Sequence, residues 1–231
     1  MQIPKVPKAI TFDCYGTLVD WEGEIQKFFK GILDNHGVKN VDYKAVQREW
    51  EMLQFDYIQE KYRPYRQILK DTLPMAFNKF NLPFTDEDCE TFAQSMGKWA
   101  AFPDTRDAII ELQKYTKVIP LTNTENAIIR ETEKNLGVKF DDIITAEDVG
   151  AYKPSHKGFH YALNRLGLDK SEVWHAAFGF KYDIVPAHEL GITSCWINRQ
   201  GEVRSVDVAE DYLVGDMKSL AILIRGMACK E

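Results

Sequence analysis

The stretch AITFDCYGTLVD, residues 9–20, decides the fold. Ala9 to Phe12 form a short apolar, β-branched run that ends in Asp13 and then meets Gly16 and Thr17. That pattern predicts a buried strand feeding a tight loop, with Asp13 at the strand's C-terminal end. From about Trp21 to Trp99 the spacing turns helical, as in Ile25, Phe28, Phe29, Ile32 and Leu33, and strand-like runs become few. This stretch reads as an all-helical insertion. After Phe102-Pro103-Asp104, where Asp104 is placed to cap a following helix, strands and helices alternate. A helix is predicted near Thr105 to Lys114, then apolar runs at Val118 to Leu121, Ile143-Ile144, Val173 to Phe178 and Thr193 to Ile197. The helical segments between them stop at Gly137, Gly167 and Gly191. Repeated strand-helix units predict an α/β protein with a doubly wound parallel sheet and helices on both faces.

Composition narrows the function. The chain has 231 residues, 45% of them hydrophobic, enough for a sizeable core. Its 29 basic and 35 acidic residues are mixed along the chain, giving a formal net charge of -6 and no basic stripe, which argues against nucleic acid as a partner. No apolar run approaches the roughly 20 residues needed to cross a bilayer. The start MQIPKVPKAITFD lacks the regions of a signal peptide, so the expected location is cytoplasmic, with no membrane contact. Cys14, Cys89, Cys195 and Cys229 are scattered and form no CxxC pair, as free thiols in a reducing compartment would be. Cys14 reads as a buried strand-end thiol without a chemical role.

In a doubly wound sheet, ligands bind beyond the carboxyl ends of the strands. The residues that follow four of the runs are Asp13 with Thr17, Thr122 with Asn123, Lys153, and Asp183. Singly they read as a turn residue, a loop, a surface charge and a helix cap; together at one sheet edge they make a chemical constellation. The segments that carry them, DCYGTLVD, PLTN, GAYKP and KYDIVPAHELG, resemble the four motifs of the haloacid-dehalogenase superfamily, and the resemblance covers nearly the whole chain. It implies a Rossmann-like core from residues 1–20 and 100–231 and a helical cap from residues 21–99. It also implies Asp13 as nucleophile, Thr122 and Asn123 as substrate-binding residues, Lys153 as the cation that steadies the nucleophile, and Asp183 as the acid completing the site.

Phosphatases of the superfamily carry a second Asp two residues after the nucleophile to protonate the departing alkoxide; here that residue is Tyr15. A phenol with a reference pKa of about 10 is a poor donor at neutral pH, and a halide needs no proton to leave. Those phosphatases also hold magnesium with acids of the fourth motif, and Phe178 stands in place of one of them. No metal and no cofactor are therefore expected. The DxYGT form and INRQG, residues 197–201, resemble the L-2-haloacid dehalogenase branch. That resemblance implies attack of Asp13 on the halogen-bearing carbon of a small haloacid, then hydrolysis of the aspartyl ester.

Thr17, Thr122 and the amides around Asn123 are expected to hold the substrate carboxylate, with Tyr15, Phe178 and Phe180 also at the substrate. The branch further implies a cap arginine near the leaving halogen; among Arg48, Arg63 and Arg66, the choice falls on Arg66. Phe159, Phe178 and Phe180 replace a Tyr, a Ser and an Asn of the branch, which predicts a smaller, drier pocket favouring haloacetate-like substrates. A homodimer through the helical insertion is a further implication of the family. Two other readings compete: a phosphoric-monoester phosphatase, and a binding protein that has kept the fold without turnover. Of the histidines, His175 and His188 read as packing or hydrogen-bonding residues. His156 and His160 share a helical face without the acids of a metal site.

Overall fold

The computed structural model describes residues 5–204 and 206–230. Its first strand, β1 (Ala9–Phe12), is buried along its whole length and lies inside a six-stranded sheet. The others are β2 (Lys117–Thr122), β3 (Ile144–Thr145), β4 (Val173–Ala177), β5 (Thr193–Ile197) and β6 (Tyr212–Val214). Every pairing is parallel, in the order β3-β2-β1-β4-β5-β6. Register does the positioning: Phe12 pairs with Pro120 on one side and Ala176 on the other, so residues just past these strands become neighbours. The backbone N–H of Asp13 extends the ladder by one bond, donating to Ala176 O at 3.1 Å.

Between β1 and β2 run four long helices, α1 (Trp21–Asn35), α2 (Tyr43–Glu60), α3 (Tyr65–Lys79) and α4 (Asp86–Ser95), followed by α5 (Thr105–Leu112). Local chemistry starts them: Asp20 accepts from Gly23 N, Asp42 from Ala45 N, and Thr85 with Asp88 forms a reciprocal capping box. The 3–4 spacing read in the sequence buries Ile25, Phe29, Ile32 and Leu33 of α1. They meet Trp50 of α2, which is fully buried, donates its indole N–H to Thr72 Oγ1 at 2.9 Å and packs against Trp21, Phe29 and Phe92. Residues entering and leaving this helical insertion are tied together. Asp20 N donates to Ala100 O at 2.9 Å, Phe102 N to Leu18 O at 3.1 Å, and Val19 bridges Ala101 in antiparallel fashion.

The second half supplies α6 (Asn126–Leu136), α7 (Ala146–Val149), α8 (Lys157–Leu166), α9 (Val185–Leu190) and α10 (Met217–Ala228). Helices α6, α8 and α9 end at Gly137, Gly167 and Gly191, each left-handed. The doubly wound fold read from the sequence is thus present, with three local differences. The Asp104 side chain makes no capping bond to α5; its carboxylate instead accepts from Met217 N at the start of α10, at 2.8 Å, and pairs with Arg199. With φ -86° and ψ -14° its backbone is already helical, which turns the side chain away from the capping position. The fourth strand stops at Ala177, so Phe178 lies just past its end. Strand β6 is an edge strand whose three residues all keep some exposure, and it carries too little apolar pattern to be read ahead.

No helix among the described residues is long and apolar enough to cross a membrane. The four cysteines are free. Removing the Trp50 ring should cost about 3–5 kcal/mol by the measure of large-to-small core substitutions. Urea denaturation of Trp50→Ala will check this, and a loss under about 1 kcal/mol would mean that the helices do not share this core.

Candidate active site

Asp13, Lys153 and Asp183 meet at the carboxyl ends of β1 and β4. Lys153 is buried and its ammonium lies 3.0 Å from Asp13 Oδ1 and 2.5 Å from Asp183 Oδ1. Two buried carboxylates flank one buried cation, so each group's charge depends on the others. Burial pulls the Lys153 ammonium down, but Asp13 and Asp183 outweigh it and hold the group above the ordinary lysine range. Burial also pushes Asp183 up, yet the Lys153 charge and the His175 hydrogen bond hold it below the usual carboxylate range. Asp13 goes the other way: burial raises it, Lys153 offsets this only in part, and the Asp183 charge adds to the rise.

Each member is held from behind. Thr17 donates its hydroxyl to Asp13 Oδ2 at 2.8 Å and accepts from Phe178 N at 2.9 Å. Both bonds depend on the tight loop at Gly16, where φ is +98° and the Phe178 ring packs so closely that an added Cβ would meet it at 3.1 Å. Asn123 clamps the lysine's main chain, donating to Lys153 O at 3.0 Å and accepting from Lys153 N at 2.7 Å. His175 of β4, fully buried, bonds Asp183 Oδ1 through Nε2 at 2.8 Å and Thr11 Oγ1 through Nδ1 at 2.8 Å. The sequence places His175 only as a packing or hydrogen-bonding residue; its link to Asp183 comes from the strand register, which sets it opposite Thr11.

A half-open cavity of about 730 Å³ lies over this trio, between the sheet edge and α2. Of the residues expected at the substrate, Tyr15, Thr122, Asn123, Phe178 and Phe180 line it. Thr122 Oγ1 is buried without a partner, a donor available to a bound anion. Tyr15 gives the cavity its ring but turns its hydroxyl to Thr132 Oγ1 at 2.8 Å, and burial, followed by the charge of Cys14, drives that phenol well above its ordinary value.

Three expectations change. Thr17 is not in the cavity wall; its oxygen is occupied by Asp13 and the Phe178 amide, so it steadies Asp13 instead of touching substrate. Arg66 is likewise outside the wall, its backbone N–H bonded to Glu125, while Arg63 stacks over Tyr57; of the three arginines Arg48 alone lines the cavity. The third concerns the phenylalanines, of which Phe178 and Phe180 line the pocket but Phe159 does not. Phe159 packs against His175 outside it, with ring centroids 4.9 Å apart, and Phe180 packs edge-on against Trp196.

Sequence reasoning missed Glu51, one turn beyond Arg48 on α2. Its carboxyl stands in the cavity wall, accepts from the Trp21 indole N–H at 2.6 Å, and is pushed up to about 7 by burial, the Trp21 bond notwithstanding. Only the i, i+3 spacing from Arg48 gave any sign of it.

The donor set does not suit the magnesium that phosphatases of this fold use. Mg²⁺ needs several oxygen ligands in near-octahedral order. Here Phe178 occupies the place of an acid, and Asp183 Oδ1 already receives Lys153 and His175. Among the described residues no three His, Cys, Asp or Glu side chains are grouped to hold a metal ion.

The (S)-2-haloacid dehalogenase of Pseudomonas sp. (strain YL) is 25% identical over 235 residues, covering 96% of this chain and 97% of that one. A shorter match, 30% identical over 132 residues, is to the glyceraldehyde 3-phosphate phosphatase of Methanocaldococcus jannaschii, covering 54% of this chain and 57% of that one. The solved L-2-haloacid dehalogenase of Xanthobacter autotrophicus with chloropropionic acid covalently bound shares the fold at a TM-score of 0.82, with 19% identity over 96% of this chain and 99% of that one. A family model described as haloacid dehalogenase-like hydrolase matches residues 7–176, and the chain belongs to that family of hydrolases.

Proposed function

We propose that this hydrolase cleaves the carbon-halogen bond of small 2-haloacids, without metal, through an ester on Asp13. The observation that carries the reading is a site held together by one buried lysine but lacking, at positions 15 and 178, the two acids that a phosphatase of the superfamily would carry. Lys153 bridges Asp13 and Asp183, position 178 has no carboxylate, and the Tyr15 hydroxyl is directed at Thr132. No group two residues after Asp13 is able to protonate an alkoxide, and a halide does not require it.

In the first step a carboxylate oxygen of Asp13 attacks the carbon bearing the halogen; the C–O bond forms as the halide departs with the bonding pair. The substrate carboxylate would take the unpartnered Thr122 hydroxyl, and Arg48 is the arginine that the cavity offers. In the second step water adds to the Asp13 ester carbon, and Asp183 is the carboxylate placed to receive its proton. Phe178 and Phe180 in the cavity wall support the expected preference for haloacetate-like substrates. Residues 21–99 would act as the cap that closes over this site. The match to a phosphatase over half the chain favours phosphate-ester hydrolysis as the second reading.

Asp13→Asn should lower turnover by at least about a hundredfold, since an amide does not displace halide. The decisive assay measures halide release from haloacetates and 2-halopropionates in excess chelator, beside phosphate release from simple monoesters with magnesium. Strong magnesium-dependent phosphate release would reverse the assignment. Lys153→Met leaves two buried carboxylates uncompensated, and denaturation should show a loss of about 3–5 kcal/mol together with loss of turnover.

The pH dependence follows from two shifts. Asp13 must be ionised to attack, and its raised pKa moves the acid limb of kcat/KM above the ordinary Asp value of about 3.9. Glu51 gains its charge as pH rises through about 7, facing an anionic substrate, so KM should climb by about tenfold across that range. Glu51→Gln should flatten the climb; an unchanged profile would show that Glu51 does not face the substrate.

A further inference from the structure

The proposed chemistry uses Asp13, Lys153 and Asp183 but leaves one fully buried polar side chain beside them without a task. His175 lies behind Asp183, fully buried, with both ring nitrogens bonded. Three elements face it: Thr11 from β1, Asp183 from the π-helical turn Phe180–Ile184, and Phe159 from α8. Phe159 offers no hydroxyl; its ring stands edge-on to the imidazole at 74°. We propose that His175 is a positioning residue that orients the Asp183 carboxylate for ester hydrolysis, by donating Nε2–H to Oδ1 and leaving Oδ2 as the oxygen that meets water.

The geometry restricts the tautomer. Asp183 Oδ1 accepts from Lys153 Nζ at 2.5 Å and faces His175 Nε2 at 2.8 Å, so the nitrogen between them must carry a proton if the carboxylate is ionised. The Thr11 hydroxyl has one proton and two acceptors in reach, His175 Nδ1 at 2.8 Å and Trp174 O at 3.2 Å; with the imidazole neutral and Nε2 protonated, it donates to the nearer Nδ1, and both ring nitrogens are partnered. Two donors on Oδ1 fix the plane of the carboxylate. Oδ2 lies over Gly179, at 2.7 Å from where a Cβ would stand, and both Gly179 and Asp183 line the cavity. A side chain at 179 would press on this oxygen, and glycine avoids that.

In the hydrolytic step, one water proton passes to Asp183 Oδ2 while the water oxygen bonds to the Asp13 ester carbon. The bond from that carbon to the bridging ester oxygen, which came from the Asp13 carboxylate, then breaks with its pair on the oxygen. That oxygen takes the proton back as a hydroxyl, and Asp13 is left as an acid that ionises to the starting carboxylate. A carboxylate free to rotate would present Oδ2 for only part of the time, so loss of His175 should slow this step and spare the alkylation.

The kinetic test rests on the dehalogenase reading, and uses bromoacetate with the whole chain. Intact-mass measurement during turnover should find little Asp13 ester in the wild type. His175→Leu should accumulate ester, with kcat lowered by about tenfold or more and the first-step rate changed by less than about threefold. His175→Gln, whose amide keeps an N–H donor, should recover part of kcat. A folded Leu variant with wild-type kcat and ester level overturns the proposal, as does a loss that falls equally on both steps. The pairing itself is read without substrate from ¹⁵N resonances of the imidazole in the wild type and in Asp183→Asn. The expected result is a proton on Nε2, a bare Nδ1, and an Nε2–H signal that moves when Asp183 is replaced. A proton on Nδ1 alone, or no response to Asp183→Asn, overturns the proposal whatever the substrate; a wild type that releases no halide and forms no ester removes only the dehalogenase reading.

Discussion

The site depends on one ammonium group. Lys153 sits in a dry corner of the protein with a carboxylate on either side, and neither carboxylate would stay charged there without it. Desolvating three ions is expensive, and close contact at 3.0 and 2.5 Å is what offsets that cost. The trio still carries one more negative charge than positive, and the imbalance falls on Asp13, the member whose carboxyl is raised. Neighbouring polar groups serve to keep these three in place: Asn123 holds the lysine's backbone, Thr17 holds Asp13, and His175 holds Asp183.

The parts of the architecture that repeat were legible in the sequence. Apolar runs of two to six residues separated by helical spacing and closed by glycines are signals that neighbouring chemistry rarely overrides, and five of the six strands lie where those runs are. The missed strand, Tyr212–Val214, is short and at the sheet edge, where burial on both faces does not act. At the candidate site, Asp13, Thr122, Asn123, Lys153 and Asp183 could be singled out because strand ends converge in any parallel sheet. What side chains do once there was harder to read. Thr17 and Asn123 have donors and acceptors that suit a ligand, yet both turn inward to bond protein, and sequence alone carries no sign of which way a hydroxyl or amide faces.

The helical insertion was the least legible region, for a related reason. Helical periodicity reports which face is buried but not which end approaches the sheet. Arg48, Arg63 and Arg66 all belong to plausible solvated faces, and only the packing of α2 over the sheet edge brings Arg48 and Glu51 into the cavity wall. The phenylalanines illustrate the same limit. Volume added to a sequence need not be volume taken from a pocket: Phe178 and Phe180 line the cavity, but Phe159 spends its ring on His175 outside it.

The ties between Leu18–Asp20 and Ala100–Phe102 have a consequence for how such a molecule is assembled over time. Because the chain departs and returns across paired backbone hydrogen bonds, Asp20 N to Ala100 O at 2.9 Å and Phe102 N to Leu18 O at 3.1 Å, the intervening helices form a loop whose two ends are tied side by side. A loop whose ends already touch imposes little extra closure entropy whatever its length. Exchange of the whole helical segment for another of different size would leave strand register undisturbed, so the chemistry at the sheet edge and the surface that covers it are free to diversify separately.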